Sequence, residues 1–269
     1  MPTNLFAAAE DCLTCADVDR KLLLASGLSE DWQAGELTRE GVVEAPSTLS
    51  AGRPQRPRLV SPRQLAQRKI TTPEGQAALI HAVAHIEFNA INLACDAAYR
   101  FRDLPDEYYG DWLQVAAEEA LHFSLLSERL GQLGYAYGDF PAHNGLWDLA
   151  VNTAADPLLR MALVPRVMEA RGLDVTPGMM ERFAGIGDQQ TARILEVILH
   201  DEVGHVEAGS RWFRHLCAER GLDPEVTYFA LLDEHLGSNI RCPLHKPARR
   251  EAGFTESELS RLEALCKKS

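Results

Sequence analysis

Hydrophobic residues recur at helical spacing along most of this chain. In the stretch after Asp106, for example, Leu113, Ala116, Ala120 and Phe123 fall on one face of a helix. The two-residue alternation of valine, isoleucine and threonine that is typical of strands does not occur in the sequence. The pattern therefore predicts an all-α protein with almost no sheet.

Four long helices are predicted, each with a recognisable start. The first opens on Thr72-Pro73-Glu74, where threonine can cap the helix, proline fits the first turn and an acid follows. The predicted spans are Pro73 to about Phe101, Asp106 to Leu133, Pro157 to about Gly172, and Asp188 to about Arg220. The first two helices are predicted to form one antiparallel hairpin and the last two another. A crossover from Gly134 to Pro157 joins the two hairpins, as in a ferritin-like four-helix bundle.

The remaining segments surround this predicted bundle. Residues 28–72 are rich in proline, arginine, glycine and serine, so we expect a loop that wraps the surface or covers a functional face. We predict a single ferritin-like domain over 1–269, with an N-terminal helix in 1–27, the wrapping loop 28–72, the bundle 73–220 and C-terminal helices in 221–269.

Two Glu-x-x-His pairs, Glu119–His122 and Glu202–His205, lie on the second and fourth long helices. Residues three apart share a helix face, so each pair offers a carboxylate beside an imidazole. A lone glutamate precedes each pair at almost the same distance, 32 positions for Glu87 and 33 for Glu169. These matched offsets indicate two hairpins of similar geometry.

Four carboxylates and two imidazoles on four helices match the donor set of carboxylate-bridged di-metal sites in ferritin-like bundles. One Glu-x-x-His arises often by chance on a solvated helix face, whereas two matched copies favour metal. The predicted ligands are Glu87, Glu119, His122, Glu169, Glu202 and His205. The predicted cofactor is two iron ions, with manganese or a mixed iron–manganese pair as alternatives that the donor types do not separate.

Four further polar residues lie close to the predicted ligands, and these are His81, His85, His200 and Asp201. Their spacing does not repeat the three-residue pairing of the ligands. We therefore expect them to orient ligands, or to satisfy one another in the core, through hydrogen bonds.

The cysteines offer an alternative metal site. Cys12-x-x-Cys15, together with Cys242 and His245, has zinc-like ligand types. Cys12 and Cys15 fall inside the first helical pattern, however, so we interpret them as ordinary face residues. A redox dithiol is a weaker alternative for the same pair.

Charge and composition exclude several functional classes. The formal net charge of −12 disfavours attraction to nucleic-acid phosphates or to an anionic membrane face. No uninterrupted apolar run approaches the roughly 20 residues that span a bilayer, and the N-terminus lacks a secretory signal. Six cysteines in 269 residues do not form a disulfide scaffold, so we expect the reducing cytoplasm.

Several of these motifs resemble those of known families. Glu87-Phe-Asn-Ala90 resembles the E-x-x-A run on the first metal helix of rubrerythrins. A bacterial ferritin-like family catalogued as domain of unknown function 455 has motifs similar to His85-Ile-Glu87, Glu118-Glu119-Ala-Leu-His122-Phe123, Met168-Glu169-Ala-Arg-Gly-Leu-Asp174, Asp201-Glu202-Val-Gly-His205-Val206 and Ala248-Arg-Arg-Glu-Ala-Gly-Phe254. The resemblance covers residues 5 to 266. It implies a ferritin-like di-metal bundle with the six predicted ligands, and it implies no substrate.

Together these inferences predict an oxidoreductase in which two metal ions activate dioxygen or peroxide and oxidise an unknown small molecule. No dinucleotide or flavin fingerprint occurs, so we expect an external electron donor. We expect a monomer or small homo-oligomer without a membrane or nucleic-acid partner. The alternatives are a ferroxidase or iron-storage protein, a helical scaffold with a relic metal site, and a tRNA-modifying hydroxylase, which the acidic charge disfavours.

Overall fold

The computed structural model describes residues 3–41, 50–237 and 240–266. Within these ranges, strand structure is limited to β1 (Thr3–Asn4) and β2 (Leu37–Thr38), which pair in parallel. The prediction of an all-α fold is therefore confirmed. The chain divides into two compact units, Met1–Asp148 and Leu149–Ser269.

The first unit is built on a helical hairpin. Its helices are α1 (Leu5–Thr14), α2 (Val18–Gln33), α3 (Pro73–Arg100) and α4 (Asp106–Gln132), and α5 (Gly145–Asn152) begins at its end. Helices α3 and α4 pack along each other, while α1 packs on α3 and α2 packs on α4. The single N-terminal helix that we predicted is two helices, because the Asp17 side chain accepts the Arg20 N–H at 2.8 Å and caps a new start.

Helix α3 begins where the sequence predicts. The Thr72 hydroxyl accepts the Gly75 N–H at 3.1 Å, and Pro73 occupies the first turn. Every residue from 87 to 99 is buried, so this helix has no solvent face over that stretch. Its length and apolarity would allow it to cross a membrane, but 78% of its most apolar window is buried inside the protein, which is typical of a core helix.

The second unit pairs an interrupted helix with a long one. Its elements are α6 (Pro157–Leu163), a π-helical turn (Val164–Glu169), α7 (Ala170–Gly185), α8 (Gln189–Glu219), α9 (Pro224–Leu236), α10 (Lys246–Glu251) and α11 (Glu256–Cys266). Helix α6, the π turn and α7 all pack on α8. The predicted end near Gly172 is wrong, because Leu173, Thr176, Met179 and Phe183 continue a buried face to Gly185.

Pro165 and Gly209 explain the π turn. Proline lacks an N–H and its ring clashes with the preceding turn of a regular α-helix, so the helix widens there. On α8, a Cβ atom added at Gly209 would lie 2.3 Å from both Cβ and Cγ of Pro165. Glycine at this position therefore lets α8 approach the proline ring.

Replacing Gly209 with alanine should destabilise the protein by about 1–3 kcal/mol, because the new methyl group overlaps a ring that cannot rotate away. Gly204 lies on the same helix and has open space at its Cβ position. Gly204→Ala should therefore stabilise the protein by up to about 1 kcal/mol, because alanine has a higher helix propensity than glycine. Chemical denaturation of both variants measures the difference, and equal effects would contradict the close packing of Pro165 on Gly209.

Candidate metal centre

Three predicted ligands meet inside the first unit. Glu87 projects from α3, and Glu119 and His122 project from α4. The His122 Nδ1 atom lies 3.3 Å from Glu87 Oε2 and 3.5 Å from Glu119 Oε2. One ligand atom from each residue lies within 4.8 Å of the others, and all three residues are buried. This group could hold a metal ion.

The spacing of these donors fits a coordination sphere. Donors about 2.1 Å from a metal ion lie about 3.4 Å apart in a tetrahedron, the geometry of zinc, and about 3.0 Å apart in an octahedron. The two distances from His122 Nδ1, 3.3 and 3.5 Å, are close to these separations. Carboxylate oxygens with one imidazole also suit iron or manganese better than a soft thiolate-binding ion. The donor set therefore fits a metal ion without large rearrangement.

The electrostatics of this cluster favour a cation. Burial disfavours the charged imidazolium, but hydrogen bonds and charge from Glu119 and Glu87 raise the pKa of His122 to about 11. Two buried carboxylates thus stabilise positive charge at the position that a metal would occupy. A metal ion and the proton on His122 compete for the same two carboxylates.

The second unit repeats the local arrangement on α8. Glu202 and His205 are both buried, and His205 Nδ1 lies 3.9 Å from Glu202 Oε2. As in the first unit, the imidazole presents Nδ1 to the glutamate three residues earlier. The Glu-x-x-His spacing therefore brings an imidazole nitrogen within 4 Å of a carboxylate oxygen in both units.

Glu169 occupies the last position of the π turn and is also buried, with 8% of its surface exposed. The turn itself is anchored by Arg166, three residues earlier, whose Nη2 donates to Glu258 Oε1 at 2.7 Å. The Arg166 guanidinium also lies over the rings of Tyr228, at 4.1 Å, and Phe254, at 4.6 Å. Residues of the C-terminal helices therefore fix the segment that positions Glu169.

A second buried ion pair holds the start of α7. Arg249 donates from Nε to Asp174 Oδ1 at 2.9 Å and from Nη2 to Asp174 Oδ2 at 2.8 Å. The same guanidinium donates to the Ala170 carbonyl, next to Glu169. This bidentate geometry is specific to arginine and carboxylate. The sequence analysis did not predict the buried ion pairs of Arg166, Glu258 and Arg249. Charged residues at apolar positions of a helical pattern could have indicated them.

Two of the four expected orienting residues bond to a loop of the first unit. His81 Nε2 accepts the Gly138 N–H at 2.9 Å, and His85 Nδ1 lies 2.8 Å from the Tyr137 hydroxyl. Burial lowers the pKa of both histidines to about 4, so both are neutral at pH 7. These hydrogen bonds hold the loop after α4 in place, and they do not orient a predicted metal ligand.

The other two expected orienting residues lie on α8 before Glu202. His200 is exposed and Asp201 is half-buried. Their orienting roles stay predictions.

The alternative zinc site is not formed in this structure. Cys242 is joined to Cys266 by a disulfide, so its sulfur is not a thiolate ligand. His245 Nδ1 instead accepts the Ala248 N–H at 3.3 Å and caps α10. Cys12 lies in α1 as predicted and is buried, whereas Cys15 follows the end of that helix at Thr14, so its predicted place inside the helix is wrong.

Comparison with known proteins gives a consistent assignment. A relative from Haemophilus influenzae (strain Rd), described as an uncharacterized protein, is 43% identical over 267 residues. The match covers 96% of this chain and 93% of that protein. No solved structure matches this chain. The model of the family described as a protein of unknown function, DUF455, matches residues 14–260, and the chain belongs to that family.

Proposed function

We propose that the two glutamate–histidine sets together hold a pair of iron ions, and that the protein is an oxidoreductase that uses them with dioxygen or peroxide to oxidise a small organic substrate. The observation that carries this proposal is the buried group of Glu87, Glu119 and His122, whose donors have the spacing of metal ligands. The sequence repeats this set as Glu169, Glu202 and His205, which supports a second ion.

Charge balance supports two divalent ions instead of one. Each set contributes two carboxylates and one imidazole, so one divalent ion neutralises one set. A buried carboxylate without a compensating cation is strongly disfavoured in a medium of low dielectric constant. Four buried carboxylates therefore match two divalent ions, the number held by the carboxylate-bridged sites of ferritin-like bundles.

The protein's own residues have three roles in this proposal. Glu87 and Glu119 supply negative charge, and His122 fixes one donor direction through Nδ1. Buried apolar residues on α4, such as Ala116 one turn before Glu119, keep bulk water away from the carboxylates. When bound, the iron pair supplies the redox chemistry, while the chain supplies orientation, dryness and substrate choice. An external donor supplies electrons.

The ligand assignment predicts a loss of metal in single variants. Protein purified without chelators should contain two iron ions per chain, and Glu119→Ala or His205→Ala should each lower that content to one or fewer. Loss of a residue that hydrogen-bonds to a metal ligand typically weakens metal binding by about 10–100-fold, and loss of a direct ligand should weaken it more. Elemental analysis measures the content, and full stoichiometric metal in both variants would contradict the assignment.

Glu118→Ala is the matched control, because Glu118 is adjacent to Glu119 but points about 100° away around α4 and bonds to Gln114 at 2.8 Å. Its metal content should equal that of the unmodified protein. Electron paramagnetic resonance of the oxidised protein separates one bridged pair from two isolated ions, because bridged ferric ions couple and lose the signal of isolated ferric iron. A full signal from isolated ferric iron would refute the paired centre while leaving metal binding intact.

A catalytic centre should react with dioxygen. Anaerobic protein loaded with ferrous iron and mixed with oxygenated buffer should consume dioxygen and change its absorbance in a stopped-flow experiment. The Glu119→Ala variant should show neither change beyond that of free ferrous iron. If the unmodified protein also matched free ferrous iron, the relic-scaffold alternative would replace the proposed oxidoreductase.

The proposal places the protein in the reducing cytoplasm, and the cysteines allow a test. Cys242 is exposed, so its disulfide with Cys266 is accessible to cellular reductants. Rapid alkylation of intact cells followed by mass spectrometry should therefore find both residues alkylated, as Cys15 should be. A Cys242–Cys266 pair that stays protected until a reductant is added would contradict a reducing compartment.

A further inference from the structure

A cavity of about 180 Å³ lies in the first unit, between α3 and the chain segment that precedes it. This volume is below the roughly 300–1,000 Å³ of pockets that bind drug-sized molecules, so only a small ligand would fit. Residues 50–59 of the predicted wrapping loop cover one side, and α3 forms the floor. The residues that matter for recognition are Arg53, His85, Phe88, Asn92, Tyr137 and Trp147.

The cavity and the candidate metal ligands lie on different faces of α3. His85, Phe88, Asn89 and Asn92 line the cavity at positions i, i+3, i+4 and i+7, which form one helical face. At 100° per residue, Glu87 lies about 150° from the centre of that face. A ligand in the cavity is therefore separated from Glu87 by the thickness of the helix. The cavity is a second site and does not give access to the metal ligands of the first unit.

The described lining of the cavity is positively charged. Arg53 is the one guanidinium or ammonium group among the lining residues that the structure describes, and none of them is aspartate or glutamate. Asp148 accepts a hydrogen bond from the side-chain amide of the lining residue Asn144 at 2.8 Å, but Asp148 does not itself line the cavity. In a chain of net charge −12, this local absence of acids makes the cavity unusually favourable for an anion.

A second cation lies directly behind the floor. Lys21 is fully buried, and its Nζ donates to the carbonyls of Cys12, at 2.8 Å, and Leu13, at 3.0 Å, and to Asn92 Oδ1. Three donated bonds use all three protons of an ammonium group. The same Nζ lies 5.5 Å from the centre of the Phe88 ring, which also lines the cavity.

No carboxylate pairs with Lys21 among the residues that the structure describes. A buried charge without a counter-ion is costly, and the cost falls when an anion binds nearby. Lys21 and the cavity share Asn92 and Phe88, so the charge of Lys21 acts on an anion in the cavity across one layer of side chains. The positive charge is therefore provided by two cations from different elements.

The shape-defining side chains are held in place before any ligand binds. The Tyr137 hydroxyl and the His143 carbonyl contact the two ring nitrogens of His85 at 2.8 and 3.2 Å, and Asn89 donates to the His85 carbonyl at 2.8 Å. Phe88, Tyr137 and Trp147 contribute aromatic surface to the lining. Fixed walls lower the entropic cost of binding a small molecule.

We propose that this cavity binds a small organic carboxylate, with the carboxylate toward Arg53 and Lys21 and an apolar, planar body against the aromatic rings. Guanidinium groups recognise carboxylates through paired N–H donors, and small-molecule sites combine apolar walls with few charged groups. The proposal is independent of the iron pair, because the site lies on the face of α3 opposite Glu87.

Benzoate is a suitable probe, and benzamide is its neutral counterpart of nearly the same shape. Isothermal titration calorimetry on the full-length protein should show benzoate binding at least about tenfold more tightly than benzamide, because only benzoate interacts with the two cations. Arg53→Gln should weaken benzoate binding by about tenfold and leave benzamide within about twofold. Both results are expected whether or not the protein contains metal.

Arg63→Gln is the matched control, since Arg63 is an exposed arginine ten positions further on that does not line the cavity. It removes the same charge and should leave both affinities unchanged. Trp147→Ala tests the location and should weaken both probes. Equal affinity for benzoate and benzamide, equal effects of Arg53→Gln and Arg63→Gln, or no binding of benzoate at millimolar concentration would each overturn the proposal, while the iron content decides the di-iron proposal separately.

Discussion

The constraint on which this structure depends is the burial of acidic side chains inside helical hairpins. Glu119 and His122 have no exposed surface, and Glu87 is 3% exposed. Carboxylates in such positions require compensating positive charge. In the first unit, hydrogen bonds and negative charge from Glu119 and Glu87 raise the pKa of His122, which favours a protonated imidazole between the two carboxylates. The long apolar faces of α3 and α4 enclose the group and keep water out, which strengthens every charge interaction within it.

In the second unit, much of the C-terminal sequence supports the helix that carries Glu169. Arg166 and Arg249 are both buried, and their partners Glu258 and Asp174 neutralise them. Phe254 lies under both guanidinium groups, at 4.6 Å from Arg166 and 5.0 Å from Arg249. The sequence motifs around Glu169 and around Phe254 therefore meet in space. A π turn lacks the regular bonding of an α-helix, and these contacts provide the rigidity that the proline removes.

The sequence predicted the elements whose signals are local. Caps at Thr72, Asp156 and Asp188 and the three-residue spacing of Glu202 and His205 are properties of one helix, and they needed no knowledge of tertiary contacts. The predictions that failed concern features that depend on contacts between distant parts of the chain. The helix end near Gly172 was wrong because packing against α8 overrides the low helix propensity of glycine. The π turn depends on Pro165 meeting Gly209, which are 44 positions apart, and Lys21 acquires its role only through Asn92, 71 positions away.

Helix α3 shows how one segment can serve two chemical environments. Its burial on all sides from residue 87 to 99 follows from its neighbours, since α1, α4 and the loop at residues 50–59 each cover part of the helix. The Glu87 face has two carboxylates beside one imidazole and attracts cations, whereas the opposite face has Arg53 at its edge and Lys21 behind it and attracts anions. Because both faces lie on one rigid helix, their separation is set by helical geometry and not by flexible loops. A helix with a single polar face would have sufficed for a metal site alone. The amides of Asn89 and Asn92 are buried on the face away from Glu87, where Asn89 donates to the His85 carbonyl, Asn92 accepts from Lys21, and both side chains line the cavity.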